Sequence, residues 1–324
     1  MSLTVFNSAA DWAPSYRASG RASVLAIGNF DGIHLGHQAI LRGVIELAHA
    51  TGDVATALTF DPPPLKVLRP EAAPPRLSTN EQRLIWFRAN GLEAAVVLPF
   101  TVELSRLEPE EFVESILVRE LRVRAVLVGE NFRFGHRHAG NVRLLRELGA
   151  RHGFEVRIVA PVVFRGEVVS STLVRREIAA GNVSHAARLL GRPFVLTGPV
   201  IKGTGTGRRF TFPTINIVPE QEQLPAMGVY VTQAKFGDAL YDSVTNIGHR
   251  PTFNGTSMSV ETHFLGSFEK DPPQRMKIRF WKRLRDEKKF SGPEELRVQI
   301  ARDIEDAEHF FARQRRFRAL RQPA

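Results

Sequence analysis

The chain has no cysteine among its 324 residues. Disulfides, thiolate metal sites and cysteine nucleophiles are therefore excluded, and a reducing compartment is the natural expectation. No apolar run approaches the roughly 20 residues that a membrane-spanning helix needs. The opening, Met1-Ser2-Leu3-Thr4-Val5-Phe6, lacks the basic stretch and apolar core of a secretory signal. A cytoplasmic protein without membrane association is expected. Internal repeats and low-complexity linkers are also missing.

What is present reads as a folded, soluble chain: 43% hydrophobic and 24% charged residues. Its length favours two domains over one core. The formal net charge is +10. Solvated faces, a polyanion partner and a site for phosphorylated small molecules are all compatible with that charge. The basic tail, Arg313 to Arg321, reads as the exposed end of a helix.

The two halves differ in rhythm. In the first, apolar runs at Val24–Ile27, Val54–Phe60, Ala94–Leu98, Val123–Val128 and Val156–Ala160 read as buried strands. Helical segments lie between them. One carries Ile40, Leu41, Val44, Ile45 and Ala48 at helical spacing and stops at Gly52; others fall near Pro109–Leu121 and Asn141–His152. Ser78-Thr79-Asn80-Glu81 reads as a capping box. A strand–helix alternation of this kind predicts a doubly wound parallel sheet. The rhythm changes near Arg192-Pro193. Short β-rich runs follow, at Phe194–Ile201, Gly228–Lys235, Leu240–Asn246, Met258–Leu265 and Met276–Trp281, and they suit a compact antiparallel barrel. A terminal helix opens at Pro293, with Leu296, Ile300, Ile304, Ala307 and Phe311 on one face.

The string Gly28-Asn29-Phe30-Asp31-Gly32-Ile33-His34-Leu35-Gly36-His37 follows the first buried strand and opens a helix. Ligands of open α/β sheets bind at the carboxyl ends of strands. Glycines let backbone approach a ligand, and a helix N-terminus presents free amides to an anion. His34 and His37 are three apart, on one side of a helical turn, and can donate hydrogen bonds to phosphate. A metal pair and a structural turn are alternative readings. A dinucleotide turn is not, because Gly-x-Gly-x-x-Gly spacing is absent.

The string resembles the His-x-Gly-His nucleotidylyltransferases. Thr59-Phe60-Asp61-Pro62, Gly129-Glu130-Asn131-Phe132-Arg133-Phe134-Gly135 and Ser170-Ser171-Thr172-Leu173-Val174-Arg175 narrow the resemblance to the bacterial bifunctional riboflavin kinase/FMN adenylyltransferases. It implies that Gly28, Asn29, Phe30, Asp31, Gly32, Ser171, Thr172 and Arg175 hold ATP, and that Phe60, Asn131 and Phe132 hold the flavin. By residue type alone, core packing is the better reading of Phe132 or of Phe134.

Gly203-Thr204-Gly205-Thr206-Gly207 is a loop that can cradle phosphates. It is not a P-loop, because Lys followed by Ser or Thr is absent after its last glycine. With Phe212-Pro213-Thr214-Ile215-Asn216 it resembles the flavokinase signature, although Thr211 stands where a glycine is usual. Thr214 and Asn216 alternate along a strand, and such a polar pair is open to an ordinary reading or to Mg²⁺. The resemblance implies Mg²⁺ there, and ATP phosphates on Gly203, Gly205 and Gly207. Asn246–Phe253, Val260–His263, and Arg285, Asp286 and Phe290 extend it, and Glu261 is implied as the base.

The implied architecture is α/β plus β. Residues 1–187 form a Rossmann-like nucleotidylyltransferase domain, and 188–324 a flavokinase β-barrel with a terminal helix. The implied chemistry converts riboflavin to FMN and FMN to FAD, with ATP as co-substrate and Mg²⁺ as cofactor. Nucleic-acid partners are not expected, and a homo-oligomer is compatible with the sequence. Two rivals remain open to the sequence: a single-activity nucleotidylyltransferase with a binding barrel, and a nucleic-acid-binding protein.

Overall fold

The computed structural model describes residues 2–201, 214–252, 255–266 and 273–319. The loop with Gly203, Gly205, Gly207 and Thr211 lies outside the described residues, as does the end of the basic tail. Contacts divide the chain into two compact units, Met1–Ser171 and Thr172–Ala324.

The first unit is built on a six-stranded parallel sheet. Its strands are β1 (Thr4–Phe6), β2 (Ser23–Ile27), β3 (Val54–Phe60), β4 (Ala94–Leu98), β5 (Val123–Gly129) and β8 (Glu155–Val159), in the order β1-β4-β3-β2-β5-β8. Two small hairpins complete the strands: β6 (Arg133–Phe134) with β7 (Gly140–Asn141), and β9 (Val163–Phe164) with β10 (Glu167–Val168). All five residues of β2 are buried. Leu25 and Ile27 pack with Phe112, Leu117 and Leu145, whereas Val24 and Ala26 pack with Leu41, Val44 and Phe87. A strand covered on both faces is apolar on both, which is why the run Val24–Ile27 does not alternate, while buried Ser23 donates its hydroxyl to the Leu121 carbonyl.

The helices are α1 (Trp12–Arg17), α2 (Leu35–Thr51), α3 (Pro64–Leu68), α4 (Asn80–Asn90), α5 (Pro109–Phe112) and α6 (Val142–His152). Helix α5 continues as a π-wound segment, Val113–Glu120. Helix α2 ends where expected, with Gly52 in the left-handed region at φ 72°. The expected capping box is displaced by one residue. Thr79 is the N-cap of α4 and exchanges bonds with Gln82. Ser78 is not available for the role, because its hydroxyl donates to Asp31 and accepts from the Gly32 amide.

The second unit holds α7 (Ser171–Ala179), cut by the division at its first residue, α8 (Val183–Leu190) and a closed antiparallel barrel. The barrel strands are β11 (Phe194–Ile201), β12 (Thr214–Ile217), β13 (Gly228–Phe236), β14 (Ala239–Thr252), β15 (Gly255–Phe264) and β16 (Arg275–Arg285), in the order β11-β12-β15-β14-β13-β16. Helix α9 (Pro293–Ala319) lays Ala307 and Phe311 against Val229, Val231 and Val244. Alternation turns the intervening side chains inward, where Tyr230 meets Phe280 edge-on. Four fully buried hydroxyls also lie there and bond one another: Ser243, Thr232, Thr245 and Thr262, at 2.7–2.9 Å. That chain satisfies polar groups the small interior could not leave bare.

Candidate active sites

The turn after β2 sits where strand order reverses, with β3 on one side of β2 and β5 on the other. It is an anchored turn. Phe30 and Ile33 are buried at positive φ, 49° and 39°, and Phe30 packs edge-on against Phe87. The Asp31 carboxylate accepts from the amides of Leu77 and Ser78 and from the Ser78 hydroxyl. The Ser171 hydroxyl donates to the Asp31 carbonyl at 2.9 Å. The side chains of Phe30 and Asp31 thus shape the loop, while Asn29 is exposed at its crest.

His34 caps α2, its Nδ1 accepting from the His37 amide at 3.4 Å. The two imidazoles stack, with centroids 3.8 Å apart and planes at 22°. A Cβ at Gly36 would come within 3.1 Å of the His34 ring, so the glycine between the histidines makes room for that stack. The first turn of α2 carries no acidic residue. Its amide dipole therefore stays available to an anion.

Arg83, which the sequence reading passed over, underpins the same turn. Its buried guanidinium donates to the carbonyls of Asn29 and Phe60, to the Thr59 hydroxyl and to Asn80. Burial lowers its pKa, with Asp61 opposing that shift. Nothing local marks an arginine in a capped helix as a tether for two strand ends.

Beside the turn lies a cavity of about 560 Å³. Ile27, Phe60, Phe100, Phe112, Phe132 and Phe134 wall it. Phe60 and Phe132 were both expected to meet a ligand. Phe134 is buried in the core and stacks on half-buried Phe132 at 5.6 Å. Asn131 is exposed and not part of the wall.

In the second unit, barrel register assembles the site. Asn216 of β12 and Asn246 of β14 both pair directly with Glu261 of β15, and Thr214 pairs with His263. Thr214 and Asn216 share a face by alternation. Asn216 is 3% exposed, and its Oδ1 has no hydrogen-bond partner among the described residues. A cavity of about 330 Å³ is lined by Thr214, Asn246, Glu261 and His263, with Asn216 not part of its wall, and is roofed by residues of α9. Arg285 and Asp303 close one side through a two-pronged ion pair, Nε–Oδ1 3.0 Å and Nη2–Oδ2 2.8 Å. Glu287 also lines this cavity. Neither Asp303 nor Glu287 was singled out from the sequence, since a lone carboxylate on a helix or loop has no pattern. Thr172 and Arg175 lie three apart on α7, away from its buried Leu173, Val174 and Ile178. Among the described residues no group of three His, Asp or Glu could hold a metal by itself.

A parallel sheet with a histidine turn at its switch point, joined to a barrel with a carboxylate set between two carboxamides, defines a two-unit phosphotransfer enzyme. Residues 17–173 match the FAD synthetase family and residues 190–311 the riboflavin kinase family. The chain belongs to the bifunctional riboflavin kinase/FMN adenylyltransferases. The enzyme of that name from Escherichia coli (strain K12) is 33% identical over 296 residues, 91% of this chain and 95% of the relative. That from Pseudomonas fluorescens is 36% identical over 289 residues, 89% and 93% of the two chains. A solved structure described as a macrolide-efflux protein, from Streptococcus pneumoniae, superposes with a TM-score of 0.84 at 26% identity, covering 95% of this chain and 99% of that one. Among the described residues no helix is long and apolar enough to cross a membrane.

Proposed function

We propose that the family's two reactions are divided between two functional domains, 1–187 and 188–324. The barrel domain takes riboflavin and ATP to FMN and ADP. The sheet domain takes FMN and ATP to FAD and pyrophosphate. Family membership supports the activities; the register of Glu261 between Asn216 and Asn246 is the observation that carries the assignment of roles.

In the barrel domain, the Glu261 carboxylate accepts the proton of the flavin hydroxyl as its oxygen attacks the γ-phosphorus. Thr214 and Asn216 would hold Mg²⁺. The buried Asn216 Oδ1, without a hydrogen-bond partner among the described residues, and the neighbouring hydroxyl are hard oxygen donors of the kind that ion takes. Bound there with ATP, the ion would offset phosphate charge. Gly203, Gly205 and Gly207 are assigned to the ATP phosphates by resemblance alone.

In the sheet domain, an FMN phosphate oxygen attacks the α-phosphorus of ATP, and pyrophosphate leaves. The attacking oxygen is already anionic, so no strong base is required. His34 and His37 donate hydrogen bonds to the α-phosphate, and the turn from Gly28 to Gly32 brings backbone amides close. Ser171, Thr172 and Arg175 are assigned to the remaining phosphates by resemblance alone, the guanidinium being able to act as a two-pronged donor. The 560 Å³ cavity takes the isoalloxazine ring between Phe60 and Phe132; Asn131 is assigned to the flavin by resemblance alone. The reading places the enzyme in the cytoplasm, with small-molecule partners and without nucleic acid. Chromatography of FMN and FAD formed from riboflavin, ATP and Mg²⁺ tests it. FAD made without any variant separating the two steps would defeat the division.

A further inference from the structure

The mouth of the 560 Å³ cavity is basic. Arg69, Arg133 and Arg137 line it beside His136 and His138, and among the described residues the lining contains no Asp or Glu. All three arginines are exposed. None of their guanidinium groups has a hydrogen-bond or ion-pair partner among the described residues. Three guanidinium groups with no protein partner among the described residues stand in water around an aromatic pocket, where a bound ligand's acceptors can replace that water.

One of the three stands on strained backbone. Arg137 has φ 51° and ψ 26°, and His138 follows at φ 59°. Non-glycine residues in that region cost on the order of 1 kcal/mol or more each, and two in succession persist only where the surroundings impose them. The surroundings do so here. The His136 amide donates to the Leu107 carbonyl at 2.8 Å, and its Nδ1 lies 3.1 Å from the Ser105 carbonyl. A Cβ at Gly135 would strike Pro109 at 2.7 Å, which holds the turn against the start of α5. Glycine at 137 would relieve the strain; an arginine there is a stability cost with a side chain aimed at the cavity mouth.

We propose that Arg137 is a specificity-determining residue of adenylyl transfer, recognising the carbonyl-bearing edge of the isoalloxazine ring. This rests on the reading of the cavity as the flavin site. The walls suit the ring's apolar faces and dimethylbenzene end, and the phosphate belongs at the histidine turn. The polar group left for the mouth is the dione edge, whose carbonyl oxygens accept from a planar fork of N–H donors.

The test uses the full chain and reads the FMN KM in FAD formation, with the Ki of lumiflavin, which has the ring but no phosphate, as competitor. Arg137→Gly should raise both by the same factor, about 2- to 10-fold, as expected for one hydrogen-bonding contact. Its kcat should hold, and its Tm should stay level or rise because the strained position now carries glycine. Arg137→Lys, which keeps charge but not the fork, should fall between. Phe132→Ala is the comparator for the cavity. A normal KM and Ki in Arg137→Gly beside a raised KM in Phe132→Ala would overturn the role of Arg137 alone. Normal values in both variants would overturn the flavin cavity as well. A raised KM for FMN with an unchanged Ki for lumiflavin would move the contact to the phosphate and overturn the proposal.

Discussion

Asn216 and Glu261 face each other directly across β12 and β15, and Asn246 faces Glu261 from β14. Directly opposed residues bring their Cβ atoms to about 4.5–5.5 Å, so the carboxylate has a carboxamide on either side. Glu261→Gln keeps the shape of that row and removes the carboxylate proposed as the base. Riboflavin phosphorylation should fall by ~10²–10⁴-fold. Conversion of supplied FMN to FAD should stay at the wild-type rate. Loss of both activities with an unchanged Tm would mean that the reactions share one site.

Metal dependence should separate at Asn216. EDTA should abolish both activities and Mg²⁺ restore them. Asn216→Ala should raise the Mg²⁺ concentration needed for phosphorylation and leave that for adenylyl transfer alone, read from Mg²⁺ titrations of the two half-reactions. Tightly bound zinc in elemental analysis of the purified protein would contradict this account.

The histidine turn has a structural role and, in the proposed adenylyl transfer, a chemical one, and two substitutions part them. His34→Ala removes both ring and cap acceptor; an N-cap loss costs about 0.5–2 kcal/mol. His34→Asn restores a cap acceptor without the ring. FAD formation should be lost in both, whereas Tm should recover in His34→Asn. His37→Ala should lose FAD formation while phosphorylation survives. Unchanged FAD synthesis in the alanine variants would remove the histidines from the chemistry.

Arg83 should matter as much to folding as to catalysis. Arg83→Met removes the donor to the Phe60 carbonyl and leaves the Asn29 carbonyl only the Thr59 hydroxyl at 3.3 Å. A buried acceptor left bare costs about 1–3 kcal/mol. The first unit should melt earlier in calorimetry, and FAD formation should weaken before phosphorylation does. A melting curve like wild type would show that the tether is redundant.

Acid should loosen the α7–α8 pair through Glu177. Burial by itself would raise its pKa, but bonds from His185, Asn182 and Arg176 outweigh burial and hold the carboxyl below its ordinary 4.5. A group depressed on folding contributes stability above its unfolded pKa, and that contribution is lost as pH falls through the folded value. Denaturant midpoints taken from pH 6 down to pH 3 should therefore drop more steeply in wild type than in Glu177→Gln. Parallel curves would rule the linkage out.

Much of the fold was legible because burial leaves a period in the sequence. The unbroken apolar run of β2, the stripe of α2 ending at Gly52, and the face of α9 from Leu296 to Phe311 each state which side is dry. The histidine turn was legible for a related reason: strand, glycines, two imidazoles and helix start are all local, so one short string contains the geometry. The cap of α4 was not. Thr79 is the cap because Asp31, 47 residues from Ser78, already holds the Ser78 hydroxyl.

What the sequence by itself determined, then, is where the chain is helical or extended and which faces seek cover, since those follow from backbone sterics and side-chain period. Tertiary structure alone decided which distant groups meet. Glu261 stands between Asn216 and Asn246 because barrel closure sets the register of three strands at once. Arg83 ties two strand ends because only packing brings their carbonyls within reach, and Arg285 finds Asp303 because α9 folds back over β16. A polar side chain carries no mark of its partner in the sequence; the partner is whichever complementary group packing leaves beside it.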